Sequence, residues 1–89
     1  MTKSEFKQII AEGRFRNREY LVVKIETEGN PTPEIIINSR GSLEQKVRYY
    51  DNVYNEDMEL VTAKANGKSI RMIDALMTSN LGDLDWFFG

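Results

Sequence analysis

Apolar and polar positions recur at two periods along the chain. Phe6, Ile9 and Ile10 fall at helical spacing, and Thr2-Lys3-Ser4-Glu5 ahead of them matches a capping box. Gly13 stands where a helix ends, so the pattern predicts a short amphipathic helix over residues 3–12. From Tyr20 to Thr27 the period drops to two: Leu21, Val23 and Ile25 point one way, and Tyr20, Val22, Lys24 and Glu26 the other. Glu28-Gly-Asn-Pro-Thr-Pro33 is turn chemistry, and Glu34 to Asn38 reads as the returning strand, with Ile35 and Ile37 on the core face and Ile36 opposite.

Ser42 with Gln45 reads as a second capping box. Beyond it Leu43, Val47, Tyr50 and Tyr54 form one apolar stripe of a helix, with Val53 on its flank. Residues 60–65 then meet Asn66-Gly67, a strong hairpin signal because a tight turn there needs positive φ. Folding back through that turn pairs Ala65 with Lys68, Ala63 with Ile70 and Val61 with Met72; the competing reading continues the helix from 43 through 65. Ser79-Asn80 can cap a last turn that carries Leu81, Leu84 and Phe88.

The order α-β-β-α-β-β-α predicts a single α+β domain over residues 1–89. It is expected to be a four-stranded antiparallel sheet with one main helix on a face. The covered face is expected to carry Leu21, Val23, Ile25, Ile35, Ile37, Val61, Ala63, Ile70 and Met72. The opposite face then shows Tyr20, Val22, Ile36, Leu60 and Ile73, more apolar than an open sheet face should be. Either the terminal helices cover it or another chain does.

Composition narrows the chemistry. The 89 residues include no cysteine and no histidine, which excludes a disulfide framework, a thiolate nucleophile, a Ser–His–Asp triad and an imidazole metal site. No cofactor and no metal are expected, and no run approaches the roughly 20 apolar residues that span a bilayer. The chain reads as cytoplasmic. The net charge of −2 is uneven. Residues 1–50 carry nine Lys/Arg and seven Asp/Glu, and residues 51–89 carry three and seven. The acidic residues Asp51, Glu56, Asp57 and Glu59 fail the calcium-loop spacing, since Val53 and Thr62 stand where ligands are needed. Ala65-Asn-Gly-Lys-Ser69 lacks the first glycine of a phosphate-binding loop.

What remains is binding rather than catalysis. The leading expectation is a non-enzymatic protein–protein interaction module, self-associating as a homodimer, with Tyr20, Val22, Ile36, Trp86, Phe87 and Phe88 as apolar anchors. Arg14, Arg16 and Arg18 around Phe15 offer the alternative of nucleic-acid contact, and the acidic residues a third reading, inhibition of a host nuclease. Tyr49 beside Arg48 is a further candidate contact residue. The tail from Asp74 to Phe88, with Tyr49-Tyr-Asp-Asn-Val-Tyr54, resembles small uncharacterised proteins of Gram-positive phages and mobile elements. That resemblance implies an accessory or inhibitory binding protein and carries no site residues with it.

Overall fold

The Thr2 signal starts the first helix as expected. The Thr2 hydroxyl accepts from the Glu5 amide at 3.1 Å, and the Glu5 carboxylate accepts from the Thr2 amide at 3.2 Å. The computed structural model describes residues 1–61 and 67–88; the side chains of Val61, Trp86 and Phe88 lie outside that description. Its elements are α1 (Lys3–Phe15), β1 (Tyr20–Thr27), β2 (Glu34–Ser39), α2 (Arg40–Val53), β3 (Glu59–Val61), β4 (Ser69–Thr78), a 3-10 turn (Leu81–Asp83) and α3 (Leu84–Phe88). The four strands form one antiparallel sheet in the order β2-β1-β4-β3, the α+β architecture read from the sequence.

Gly13 does not end α1. The helix runs on to Phe15, and Asn17 closes it in the left-handed region, at φ 53°. The Arg18 amide donates to Gly13 O at 2.9 Å and the Asn17 amide to Arg14 O at 3.1 Å, the paired bonds of a Schellman motif. Gly13 serves packing instead: a Cβ there would lie 2.5 Å from both Cβ and Cγ of Met77 on β4. The glycine lets the helix backbone rest directly on the strand. The second capping box is also corrected. The helix starts at Arg40, Ser39 makes no side-chain cap, and the Ser42 hydroxyl donates to Ser39 O at 3.3 Å.

The main core lies between the sheet and both long helices. Phe6 and Ile10 of α1 and Leu43 and Tyr50 of α2, with Tyr54 just beyond its end, close over Leu21, Val23, Ile25, Met72, Ala75 and Met77. So α1 joins α2 on one face rather than folding over the other.

The faces of β1 are as read, but those of β2 are inverted. Val23 pairs with Ile36 and Leu21 with Asn38, which turns Ile36 and Asn38 to the helices and leaves Ile35 and Ile37 on the second face. Three consecutive isoleucines suit either face, so the loop sets the register and the pattern does not. Asn38 is buried there because its amide nitrogen donates to Leu21 O at 3.2 Å.

A bulge in β4 corrects a second alternation. Lys24 pairs with Asp74 but Ile25 with Met72, so Ile73 is the extra residue. Strict alternation from Met72 would carry Asp74 into the core. The bulge sends Ala75 and Met77 inward and leaves Asp74 exposed.

The second hairpin forms in a different register from the one expected. Leu60 pairs with Ile70 and Val61 with Ser69, not with Met72, and Leu60 packs against the helical core rather than on the second face. Residues 59–61 are strand and do not continue α2. Gly67 has φ 75°. The Asn66 half of the expected turn and the pairings of Ala63 and Ala65 lie outside the described residues.

Lys3 ties the helices together. Its ammonium donates to Asp51 O at 2.5 Å and Tyr54 O at 2.6 Å, and the Asp51 carboxylate is 4.0 Å away. The α2 helix has no basic residue in its own last turn, so a lysine from the start of α1 supplies the cation its terminal carbonyls favour. Lys3→Met keeps the stem and removes the donors. The expected loss is about 1.5–2 kcal/mol, read as a lower urea midpoint at unchanged slope.

Candidate interaction surface

Of the six expected anchors, the fold consumes three. Val22 is fully buried on the second face, covered by Leu84 and Phe87, with Ile35 and Leu76 packed alongside. Ile36 faces the helices. Phe87 is itself core, and the Lys24 ammonium donates to its carbonyl at 3.0 Å while lying 5.6 Å from its ring centroid. Tyr20 is half-buried, and the side chains of Trp86 and Phe88 lie outside the described residues.

The tail folds back for local reasons. The Asn80 side chain accepts from the Gly82 amide at 2.9 Å, and the Thr78 hydroxyl donates to Asp83 Oδ2 at 2.7 Å. These bonds turn the chain off β4 and over Val22. The expected bare patch on the second face is therefore largely covered by the chain's own C-terminal helix.

The run Arg14-Phe15-Arg16 extends and caps α1. Phe15 sits in the last turn of α1 with 88% of its surface exposed. Arg14 reaches across to Glu44 of α2 at 2.8 Å, and Arg16 pairs with Glu12 at 3.5 Å. Arg40 joins them from the start of α2, donating to Asn17 O at 3.1 Å.

Two clefts flank this helix end and share Arg18. One, of about 360 Å³, lies between α1 and β4 and includes Gly13, Arg16 and Met77; the other, of about 300 Å³, includes Arg14, Asn17, Arg40 and Glu44. Phe15 lies in sequence between Arg14 of one cleft and Arg16 of the other. Sequence reasoning missed Arg40, which the β1–β2 hairpin brings back to the end of α1. It also ended the helix three residues early; Asn17, a residue that tolerates the left-handed region, was the available signal.

The acidic residues after α2 are organised as a turn. The Asn55 side-chain oxygen accepts from the amides of Asp57 and Glu59 at 2.9 and 3.0 Å, and Met58, at φ 54°, plugs the core. Among the described residues no group of three or more acidic, cysteine or histidine side chains is placed to hold a metal ion. Among them, too, no helix is long and apolar enough to cross a membrane.

Comparison with protein-family models, curated proteins and solved structures finds no match for the chain.

Proposed function

We propose that this protein is a non-enzymatic binding module that grips a protein partner with the Phe15 end of α1. The observation that carries the reading is the 88% exposure of a phenylalanine surrounded by arginines. A phenyl ring left in water forgoes roughly 1.5–3 kcal/mol of burial. Aromatic residues and arginine are enriched at interfaces, and Arg is among the residues that dominate binding hot spots.

The local charge favours protein over nucleic acid. Glu44 and Glu12 hold Arg14 and Arg16, which orients the guanidinium groups and offsets much of their field. Phosphate-backbone binding needs unbalanced positive charge, whereas a mixed, oriented rim around an apolar anchor suits a protein surface. The nuclease-inhibitor alternative has weaker support, because four carboxylates after the helix on a chain of net charge −2 make only a modest acidic surface. The resemblance of the C-terminal half to small phage and mobile-element proteins fits a cytoplasmic accessory factor of this kind.

The experiment compares the wild-type chain and Phe15→Ala as baits in extract of the native host, then measures affinity for the purified captured protein. Phe15→Ala is expected to weaken binding by roughly 10–100-fold with an unchanged circular dichroism spectrum. Equal capture by both baits overturns the reading. So does tight, salt-sensitive retention of a labelled single-stranded oligonucleotide, which selects the nucleic-acid alternative.

A further inference from the structure

The turn that ends α1 gathers positive charge that its own surroundings do not neutralise. Asn17, in the left-handed region, turns the chain, and the Arg18 amide bonds back to Gly13 O. Arg18 thereby joins Arg14 in lining one cleft of about 300 Å³. The other wall is the first turn of α2, where Arg40, Leu43 and Glu44 share a face. Three guanidinium groups thus meet one carboxylate, on a chain whose net charge is −2.

That carboxylate is committed. Both oxygens of Glu44 lie 2.8 Å from Arg14 Nη2. Arg16 is held by Glu12 outside this cleft, and Glu19, next to Arg18 in sequence, does not line it. Among the described residues neither Arg18 nor Arg40 has a carboxylate partner. Arg18 is half-buried, so its charge is partly stripped of water with nothing opposite in compensation. Arg40 is held in place by its bond to Asn17 O at 3.1 Å, which uses one nitrogen donor and leaves the others free.

We infer that this cleft binds a doubly charged phosphoryl group, free or carried on a phosphorylated serine or threonine. The charge selects the ligand. One dianion neutralises both uncompensated guanidinium groups, whereas a carboxylate cancels only one of them. A phosphoryl group also offers several acceptor oxygens, so it can bond Arg18 and Arg40 from the two walls at once, and the planar arginine fork suits it. The start of α2 adds the positive end of its dipole to the same wall. One cleft with two free arginines holds one phosphoryl group and makes no track for a nucleic-acid backbone, which needs a row of such contacts. The site goes beyond the Phe15 contact and does not depend on it.

Backbone-amide NMR of the wild-type chain, titrated with inorganic phosphate and with N-acetyl-phosphoserine methylamide, tests the inference. Near neutral pH both are expected to saturate at about millimolar concentration, shifting the amides around Arg18 and Arg40, and acetate to bind roughly tenfold more weakly. Lowering the pH to about 5 takes the phosphoserine compound below its second pKa of about 6, and binding of the resulting monoanion is expected to be roughly tenfold weaker. Arg18→Gln and Arg40→Gln are each expected to weaken binding about fivefold with unchanged circular dichroism. Arg71→Gln, whose guanidinium pairs with Glu26 elsewhere on the sheet, leaves binding unchanged. Tighter binding of the phosphoserine compound than of inorganic phosphate assigns the group to a partner's side chain, and the reverse order assigns it to free phosphate. No saturation by about 50 mM phosphate, far above the expected range, overturns the inference. So does equal binding of acetate, or wild-type affinity in both arginine variants. Phe15→Ala keeps phosphate binding, so failure here is distinguishable from failure of the partner-binding reading.

Discussion

Gly13→Ala is expected to destabilise the fold by about 2–3 kcal/mol, and Gly13→Val by more, against a total of roughly 5–10 kcal/mol for a domain of this size. The sign is opposite to ordinary helix behaviour. At a solvent-facing helical position, alanine gains about 1 kcal/mol over glycine. Here the added Cβ would sit 2.5 Å from Met77 Cβ and Cγ, distances that real atoms do not share. Met77 Cβ is fixed to the backbone of β4, which is paired at this point with Leu21 of β1, so it cannot swing away as a side-chain tip could. The helix must lift instead, and lifting it loosens Phe6 and Ile10, both buried in the core. Valine adds two methyl groups and a poorer helix propensity to the same collision. Urea denaturation followed by circular dichroism reads the effect. Met77→Ala in the Gly13→Ala background should rescue only part of the loss, since it removes Cγ and leaves Cβ. A stabilised Gly13→Ala variant would mean that α1 does not rest on β4 through this glycine.

This glycine shows where sequence reasoning stops. A glycine after two turns of amphipathic pattern looks like a stop signal, and nothing local separates a stop from a contact point. The partner, Met77, lies 64 positions further along the chain. The elements themselves were legible, because their signals are local: the Thr2–Glu5 box, the alternation from Tyr20 to Thr27, the stripe through Leu43, Val47, Tyr50 and Tyr54, and the Asn80 cap. Facing was legible only where the pattern discriminates. Leu21, Val23 and Ile25 were placed correctly because Lys24 and Glu26 mark the other face, whereas Ile35-Ile36-Ile37 is apolar at every position and its register follows from the loop. Asp74 carried a hint of the bulge at Ile73, since strict alternation would have buried a carboxylate. The candidate surface was half legible. The arginines around Phe15 stood out as a run, but their joining with Arg40 and Glu44 depends on three elements meeting at one end of the molecule. The covering of Val22 by Leu84 and Phe87 was one of the two outcomes left open for the second face.

Alkaline pH should destabilise this domain, and Tyr54 is the main reason. Its side chain is buried beneath the end of α2, and burial pushes the phenol up to about 12, with Tyr49, Tyr50 and the Glu34 carboxylate adding to the rise. Burial also raises Tyr50, although a hydrogen bond with Asn38 acts the other way, and Tyr49 and Glu34 add again. Both phenols are neutral in the fold. In the unfolded chain each ionises near its ordinary value of 10.0. The stabilisation is therefore complete below pH 10, where both states hold the proton. As pH climbs from 10 towards 12 the unfolded chain sheds protons that the fold retains, so stability falls. For Tyr54 alone the loss is about 2–3 kcal/mol over that window, and Tyr50 adds to it. Urea midpoints measured at intervals from pH 8 to pH 12 should stay level at first and then drop steeply. Tyrosinate absorbance from these two residues should arrive together with the loss of helical circular dichroism, not ahead of it. Tyr54→Phe removes the ionisable group and keeps the ring, so its midpoints should fall later and less. If that variant follows the wild-type curve throughout, the alkaline transition is driven from elsewhere, and the three-tyrosine cluster at the end of α2 is more open to water than its burial states.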